Sequence, residues 1–242
     1  MIYVTSDLHG YPLEEFQKLL AQANFSQDDF LFVLGDVIDR GEEGVRLLRW
    51  MAEQPNVQLI LGNHEAMLLR CDFLFRQITE ENAEALTAQD MENLALWRSN
   101  GAEPTLAAFK DLLHTKPDVL EGILDYLNEA PLYDYVVLDG RSFILVHAGL
   151  GGFRPDKPFH RYEPEELLWV RPGLDTRYFD EATVVFGHTP TYHYGEEYRG
   201  KAVKTDTWIC IDTGAAAGGH PMLLRLDDMH EFYGQCPLTM RA

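Results

Sequence analysis

The sequence predicts an α/β fold with a largely parallel sheet, and three observations carry that expectation. A short β-rich apolar run, a polar loop with glycine and a helix-period stretch follow one another three times before residue 76. Each of those runs stops at a loop rich in Asp, Asn or His. Beyond residue 131 the pattern changes to short strands joined by turns. Three βα units in a row imply crossovers between parallel strands.

The first unit runs from Ile2-Tyr3-Val4-Thr5 through Ser6-Asp7-Leu8-His9-Gly10 to a helix that Pro12 can open, with Leu13, Phe16 and Leu20 on one face. The second takes Phe30 to Leu34 into Gly35-Asp36-Val37-Ile38-Asp39-Arg40-Gly41, then a stripe of Val45, Leu48, Met51 and Ala52. The third takes Val57 to Leu61 into Gly62-Asn63-His64-Glu65, with Leu68, Cys71 and Phe75 on the following helix. Residues 72 to 131 read as a helical insertion without loop chemistry of this kind. Leu120, Ile123, Leu124 and Leu127 fall at i, i+3, i+4 and i+7, Leu106, Phe109 and Leu113 do much the same, and both stripes read as packed apolar faces. Twelve acidic and four basic residues give the insertion a solvated, acidic outer face.

After the insertion, Tyr135 to Leu138 and Phe143 to Val146 read as a hairpin through an Asp139-Gly140 turn. The second of these strands ends at His147-Ala148-Gly149-Leu150. A later one, Val184 to Phe186, ends at Gly187-His188-Thr189-Pro190, and Trp208 to Ile211 ends at Asp212-Thr213-Gly214. Met222 to Leu226 and His230 to Tyr233 complete the strands.

With 242 residues, 46% of them hydrophobic, the chain can bury one substantial core, and the absence of a linker favours a single domain over residues 1–242. No apolar run is long enough to span a bilayer, so no membrane partner is expected. Met1 leads straight into a strand with no basic or apolar leader, which makes the cytoplasm the expected compartment. Cys71, Cys210 and Cys236 are scattered singly and read as reduced, mostly core residues. Thirty-nine acidic against twenty basic residues give a formal charge of -19, which repels polyanions and argues against a nucleic-acid surface. Any phosphate must be drawn by a local site.

Such a site is legible at five strand ends: Asp7 and His9, Asp36 and Asp39, Asn63 and His64, His147, and His188. Loops at the carboxyl ends of strands are where α/β proteins assemble sites, because rigid strands aim several short side chains at one point. Oxygen and imidazole donors with no cysteine among them favour Mn, Fe, Zn or Mg over a thiolate-bound ion. Asp36, at the centre, is the natural carboxylate to be shared between two ions, and Arg40 beside it suits a phosphate.

These motifs, Asp7-x-His9-Gly10, Gly35-Asp36-x-x-Asp39-Arg40-Gly41, Gly62-Asn63-His64-Glu65, His147 and Gly187-His188-Thr189, resemble the full set of the phosphoprotein phosphatase branch of the metallophosphoesterases, in the family's order. The small bacterial and phage serine/threonine phosphatases are the nearest in pattern. The resemblance implies a four-layer αββα sandwich with two mixed β-sheets and a helical insertion. It implies two divalent metal ions, Mn foremost with Fe, Zn or Mg as alternatives, one on Asp7, His9 and Asp36 and one on Asp36, Asn63, His147 and His188. It further implies His64 as proton donor, Asp39 as its orienting carboxylate, and Arg40, with Asn63 beside it, as phosphate contacts. A second phosphate arginine follows a Leu-Trp dipeptide in relatives, which points to Arg171 after Leu168-Trp169-Val170. Ser6 and Ala148 stand where the family often has Gly, and neither change removes a ligand. The His147-Ala148-Gly149 form is also that of the related diadenosine tetraphosphate hydrolases, whereas Glu65 matches the protein phosphatases better.

The implied chemistry is in-line attack on a phosphomonoester by a hydroxide bridging the two ions, whose charge lowers the pKa of the water toward about 7, with no covalent phosphoenzyme. Two dications, Asp7, Asp36 and the hydroxide sum to about +1, and the two arginines bring this to about +3, enough to hold a dianion in a protein of strongly negative charge. The first expectation for substrate is phosphoserine or phosphothreonine in proteins; the alternative is a dinucleoside polyphosphate of the diadenosine tetraphosphate type or another small phosphoester. A non-catalytic metal-binding scaffold is the third reading, disfavoured because His64 and every ligand are present. His114, His160, His193, His220 and His230 lie off the motifs and read as structural or surface residues, and Gly214 to Gly219 as a tight loop under the site.

Overall fold

In the computed structural model, which describes residues 1–75 and 86–236, Ile2–Thr5 (β1), Phe30–Val33 (β2) and Val57–Leu59 (β3) pair in parallel, as consecutive βα units require. Met222–Arg225 (β9) adds antiparallel to β1 and His230–Tyr233 (β10) to β9, so this mixed sheet has the order β10-β9-β1-β2-β3. A second mixed sheet holds Tyr133–Leu138 (β4), Arg141–Val146 (β5), Ala182–Phe186 (β6), Val203–Lys204 (β7) and Trp208–Cys210 (β8), in the order β4-β5-β6-β8-β7. β4 and β5 form the expected hairpin, closed by left-handed Asp139 and Gly140 with Leu138 opposite Arg141. β7, two residues long, has no signature in the sequence.

Strand residues alternate between two cores, which fixes how the sheets stack. Tyr3, Leu31 and Val33 face the helices, while Val4 and Phe32 face the second sheet, where they meet Phe143, Leu145, Val185 and Ile209. From the far side of that second sheet, Ile144, Val146, Val184, Phe186 and Trp208 pack on Leu167 and Tyr178. The layers are therefore helices, sheet, sheet and a thinner cover of loops around the short helix Pro164–Leu168 (α7). This is the four-layer sandwich expected from the motifs.

The thicker outer layer holds Leu13–Gln22 (α1), Gly44–Glu53 (α2), Asn63–Leu69 (α3), Ala88–Ser99 (α4), Glu103–Thr115 (α5) and Pro117–Glu129 (α6). The expected insertion faces are buried here: Leu106, Phe109, Leu120, Ile123 and Leu127 join the first core, with Leu112 more deeply buried than Leu113. Residues 76–85 of the insertion lie outside the described residues. Pro117 opens α6. α4 fully buries one side chain, Trp97, so it depends more than its neighbours on its cap. Thr87 Oγ1 accepts the Asp90 N–H at 3.2 Å while Asp90 returns a bond to the Thr87 N–H at 2.8 Å, an arrangement worth about 1 kcal/mol. Among the described residues no helix is long and apolar enough to cross a membrane.

Candidate metal centre

The loops after β1 and β2 are zipped to each other by main-chain bonds. Asp7 N–H donates to Gly35 O at 3.1 Å, His9 N–H to Asp36 O at 2.8 Å, Gly10 N–H to Val37 O at 2.7 Å and Gly41 N–H to His9 O at 3.0 Å. The loops after β3 and β6 approach so closely that a Cβ on Gly35 would lie 2.4 Å from Gly62 Cα, and one on Gly187 2.0 Å from Asp7 Oδ2. Six side-chain-bearing residues of these loops, Asp7, His9, Asp36, Asp39, Arg40 and His188, adopt φ between 44° and 70°. Each such residue costs about 1–3 kcal/mol, a strain that survives only where surrounding contacts dictate it.

Asp36 sits at the meeting point. Two groups of donors, His9 with Asp36 and His64, and Asp36 with His147 and His188, each bring their atoms within 4.8 Å of one another. His9 Nδ1–H donates to Ile38 O at 3.0 Å and His147 Nδ1–H to Leu34 O at 2.6 Å. Those carbonyls fix the tautomers and turn both Nε2 lone pairs inward, 3.6 Å and 3.4 Å from the Asp36 carboxylate. Asn63 Oδ1 lies 2.8 Å from His147 Nε2 and 2.9 Å from His188 Nδ1. With the amide oxygen inward, acceptors face acceptors, an arrangement a divalent cation satisfies; with the nitrogen inward, the amide donates to both imidazoles and to Asp36. Asp7 lines the same cleft, and its two oxygens accept the His188 N–H at 3.1 Å and 2.9 Å. All of these side chains are buried. The donor set therefore fits a pair of divalent ions of the O/N-preferring class.

His64 belongs to a second constellation. Its Nδ1 lies 2.6 Å from Asp39 Oδ2, and Arg40 Nη2 lies 3.2 Å from its Nε2, the atom that faces the cleft. Arg40 itself is exposed, as is Arg171, whose Nη1 donates to His188 O at 2.9 Å. The cleft holds about 210 Å³ and is lined by Asp7, His9, Asp36, Arg40, Asn63, His64, Arg171 and His188. Asp39 and His147 stand behind that lining, fully buried. All ten residues singled out in the sequence thus gather at one place.

Electrostatics separate the groups by role. Burial would raise the Asp36 carboxyl, but the imidazoles of His147, His64, His9 and His188 outweigh it and hold it well below the usual carboxylate range. Burial depresses His9, His147 and His188, the last to about 2, which keeps all three neutral with lone pairs available. His64 goes the other way: burial lowers it, yet the Asp36 charge and the Asp39 hydrogen bond raise it above an ordinary histidine. A neutral-imidazole cluster and one imidazole biased toward the cation stand side by side.

Several contributors escaped the sequence reading. Glu65, fully buried, accepts the N–H groups of Asp36 at 2.8 Å, Val37 at 2.8 Å, Ile38 at 3.3 Å and Gly62 at 3.1 Å. Asp212 lines the cleft, with its carboxyl pushed up to about 7 by burial, with Asp36 adding to it. Its position after β8 repeats the signal of the five recognised strand ends. From the insertion, Trp97 and Thr105 reach Asp39 and Asn100 reaches the cleft, so that segment is more than apolar packing. His193, read as a structural or surface residue, is exposed and at the same time lines the cleft with Trp169 and Tyr192, stacking on Tyr192 at 4.7 Å. Gly214 to Gly219, read as a loop under the site, instead borders a neighbouring cavity of about 230 Å³ that shares Tyr192 with the cleft.

A family model described as calcineurin-like phosphoesterase matches residues 1–220. The symmetrical bis(5'-nucleosyl)-tetraphosphatase of Glaesserella parasuis is 26% identical over 95% of this chain and 96% of its own. The asymmetrical bis(5'-nucleosyl)-tetraphosphatase of Anoxybacillus flavithermus is 24% identical over 95% and 92%. The symmetrical enzyme of Actinobacillus succinogenes is 32% identical over 61% of this chain and 44% of its own length, so the matched stretch spans less than half of that relative. Among solved structures, a provisionally assigned diadenosine tetraphosphatase superposes with a TM-score of 0.62 at 20% identity, covering 96% of this chain and 91% of that one. A serine/threonine phosphatase from Saccharomyces cerevisiae does so at 0.53 and 13%, covering 96% and 78%. At these identities the two solved structures share the fold.

Proposed function

The chain belongs to the calcineurin-like phosphoesterase family, and from that premise we propose that it is a dinuclear-metal hydrolase of dinucleoside polyphosphates of the diadenosine tetraphosphate type. The observation that carries this reading is the aromatic rim: Trp169, Tyr192 and His193 line the same cleft as the candidate metal ligands and arginines. Flat rings beside a phosphate site suit a substrate with a nucleobase next to its phosphates. The two relatives matched over nearly the whole chain are bis(5'-nucleosyl)-tetraphosphatases, which supports the same choice.

The competing substrate, phosphoserine or phosphothreonine in a protein, drew on Glu65 following Asn63 and His64. That carboxylate holds four main-chain N–H groups and does not line the cleft, so it bears on the loop and not on the substrate.

In this reading Asp7, His9 and Asp36 would hold one divalent ion and Asp36, Asn63, His147 and His188 the other, with Mn placed first and Fe, Zn or Mg compatible with the same donors. Two such ions supply a nucleophile at neutral pH and neutralise phosphate charge. Arg40 and Arg171, both exposed at the cleft, grip phosphate oxygens and orient them for in-line displacement. His64, held by Asp39 through Nδ1, offers the Nε2 proton to the departing oxygen.

The test is a panel with metal-reconstituted protein: diadenosine tetraphosphate, a phosphoserine peptide and p-nitrophenyl phosphate. The expected result is metal-dependent turnover with kcat/KM on the dinucleotide about 100-fold above the phosphopeptide. A preference for the phosphopeptide reverses the substrate reading. Lack of metal-dependent turnover on all three restores the scaffold reading.

A further inference from the structure

Two side chains of the helical insertion close around the carboxylate that orients His64. Trp97 of α4 donates its indole N–H to Asp39 Oδ2 at 2.8 Å. Thr105 of α5 donates its hydroxyl to Asp39 Oδ1 at 2.6 Å and accepts the Asp39 backbone N–H at 3.0 Å. Asp39 is fully buried, Trp97 equally so, and Thr105 is 3% exposed. Between the two helices, Gly101 O accepts the Arg40 N–H at 2.8 Å. Both oxygens of Asp39, its peptide and the next peptide are thus held by one short stretch of the insertion.

A buried tryptophan needs some acceptor for its N–H, and a helical threonine usually returns its hydroxyl to the preceding turn. Neither requirement selects Asp39. Here two donors from separate helices take opposite oxygens of one carboxylate, and His64 Nδ1, at 2.6 Å, shares Oδ2 with the indole. The Asp39 carboxylate plane is set before His64 meets it. Trp97 is itself fixed edge-on by Phe75 at 6.4 Å, and Phe75 packs on Phe109 of α5 at 5.0 Å, so the clamp is built into the core of the insertion.

We propose that Trp97 and Thr105 are positioning residues that lock Asp39 and thereby aim His64 at the leaving oxygen, which makes the insertion part of the proton-donating machinery. The proposal rests on the reading of His64 as the proton donor. A displacement of about 1 Å in such a group costs on the order of 100-fold in rate, so loosening one of two clamps is expected to cost less than removing the donor itself.

The experiment compares Trp97→Phe, Thr105→Val and Thr105→Ser with His64→Asn in the metal-reconstituted protein, on a series of aryl phosphates of rising leaving-group pKa. Expected are losses of kcat of roughly 10-fold for Trp97→Phe and Thr105→Val on phenyl phosphate, smaller on p-nitrophenyl phosphate, with KM and bound metal unchanged. Thr105→Ser, which keeps the hydroxyl, should recover most of that loss. In the His64→Asn background neither change should cost anything more, because the group it acts through is gone. Equal losses on every leaving group, or undiminished losses in the His64→Asn background, mean a packing role and overturn the proposal. If His64→Asn steepens the leaving-group dependence and the clamp variants do not, the proposal fails while the donor reading stands. If His64→Asn leaves that dependence flat, the donor reading falls and takes the proposal with it. Thr105→Val decides the matter if Trp97→Phe does not fold.

Discussion

Glu65 Oε2 accepts the backbone N–H of Asp36 at 2.8 Å, so a carboxylate on α3 fixes the peptide of the carboxylate at the centre of the site. Its other oxygen takes Val37 and Ile38, and together they hold a loop whose Asp36 sits at φ 54°. Glu65→Gln replaces one acceptor oxygen by a donor that must face N–H groups. Leaving two buried donors unpaired costs about 2–6 kcal/mol, and the loop that carries Asp36 loosens with it. Thermal unfolding of the metal-free variant should show the loss, and calorimetry should show weaker Mn binding. Unchanged metal affinity would separate the loop from the site.

His64→Asn should retain bound metal and lose about 100- to 10,000-fold in kcat on substrates with poor leaving groups, with a smaller loss on p-nitrophenyl phosphate. The two outcomes are read by metal analysis and by steady-state kinetics on the same sample. Full activity on an alkyl phosphate rules out the proton-donor role.

Arg40→Lys and Arg171→Lys keep the charge and lose the planar fork. Because both guanidiniums line the cleft without hydrogen-bonding any proposed metal-ligand side chain, Arg40 reaching His64 and Arg171 the backbone of His188, each change should raise KM for the dinucleotide several-fold and leave metal content intact. The double change should exceed either one. A fall in metal content instead of a rise in KM places these arginines with the ligand scaffold.

Asp212 makes a prediction with a sign in pH. Burial first, with Asp36 adding to it against the pull of the Gly214 N–H, raises its carboxyl from 3.8 to about 7. The folded state therefore holds this proton more tightly than the unfolded state, and the stability it contributes, complete below about pH 4, is lost as pH rises toward 7. Asp212→Asn removes that loss. The metal-free variant should unfold at the same temperature as the parent near pH 4 and be more stable, on the order of 4 kcal/mol, at pH 8. The reverse ordering at pH 8 contradicts the shift.

The three βα units, the hairpin through Asp139-Gly140 and the strands ending at His147 and His188 were legible in the sequence because their signals are local, although the third helix ends at Leu69, short of the expected Cys71 and Phe75. A short continuous apolar run, stopped by a glycine loop with short polar side chains, marks both a strand and the end at which it presents those side chains. Asp212 carries the same signal at the end of β8 yet does not stand out as a site residue, since one acidic residue before Thr213-Gly214 has no polar neighbour in sequence to mark it. His193 was hidden by the short turn that lays it on Tyr192 at the rim of the cleft.

By itself the sequence determined the order of the βα units and later strands it marks, and the donor atoms available at their ends. The tertiary structure alone decided what holds those donors in place. Trp97 lies 58 residues from Asp39 along the chain and Thr105 lies 66, and each sits in a helix where it looks like ordinary packing. Periodicity reports which face of an element is buried; it does not report which polar atom a buried donor meets there, because that depends on how separate elements close against one another.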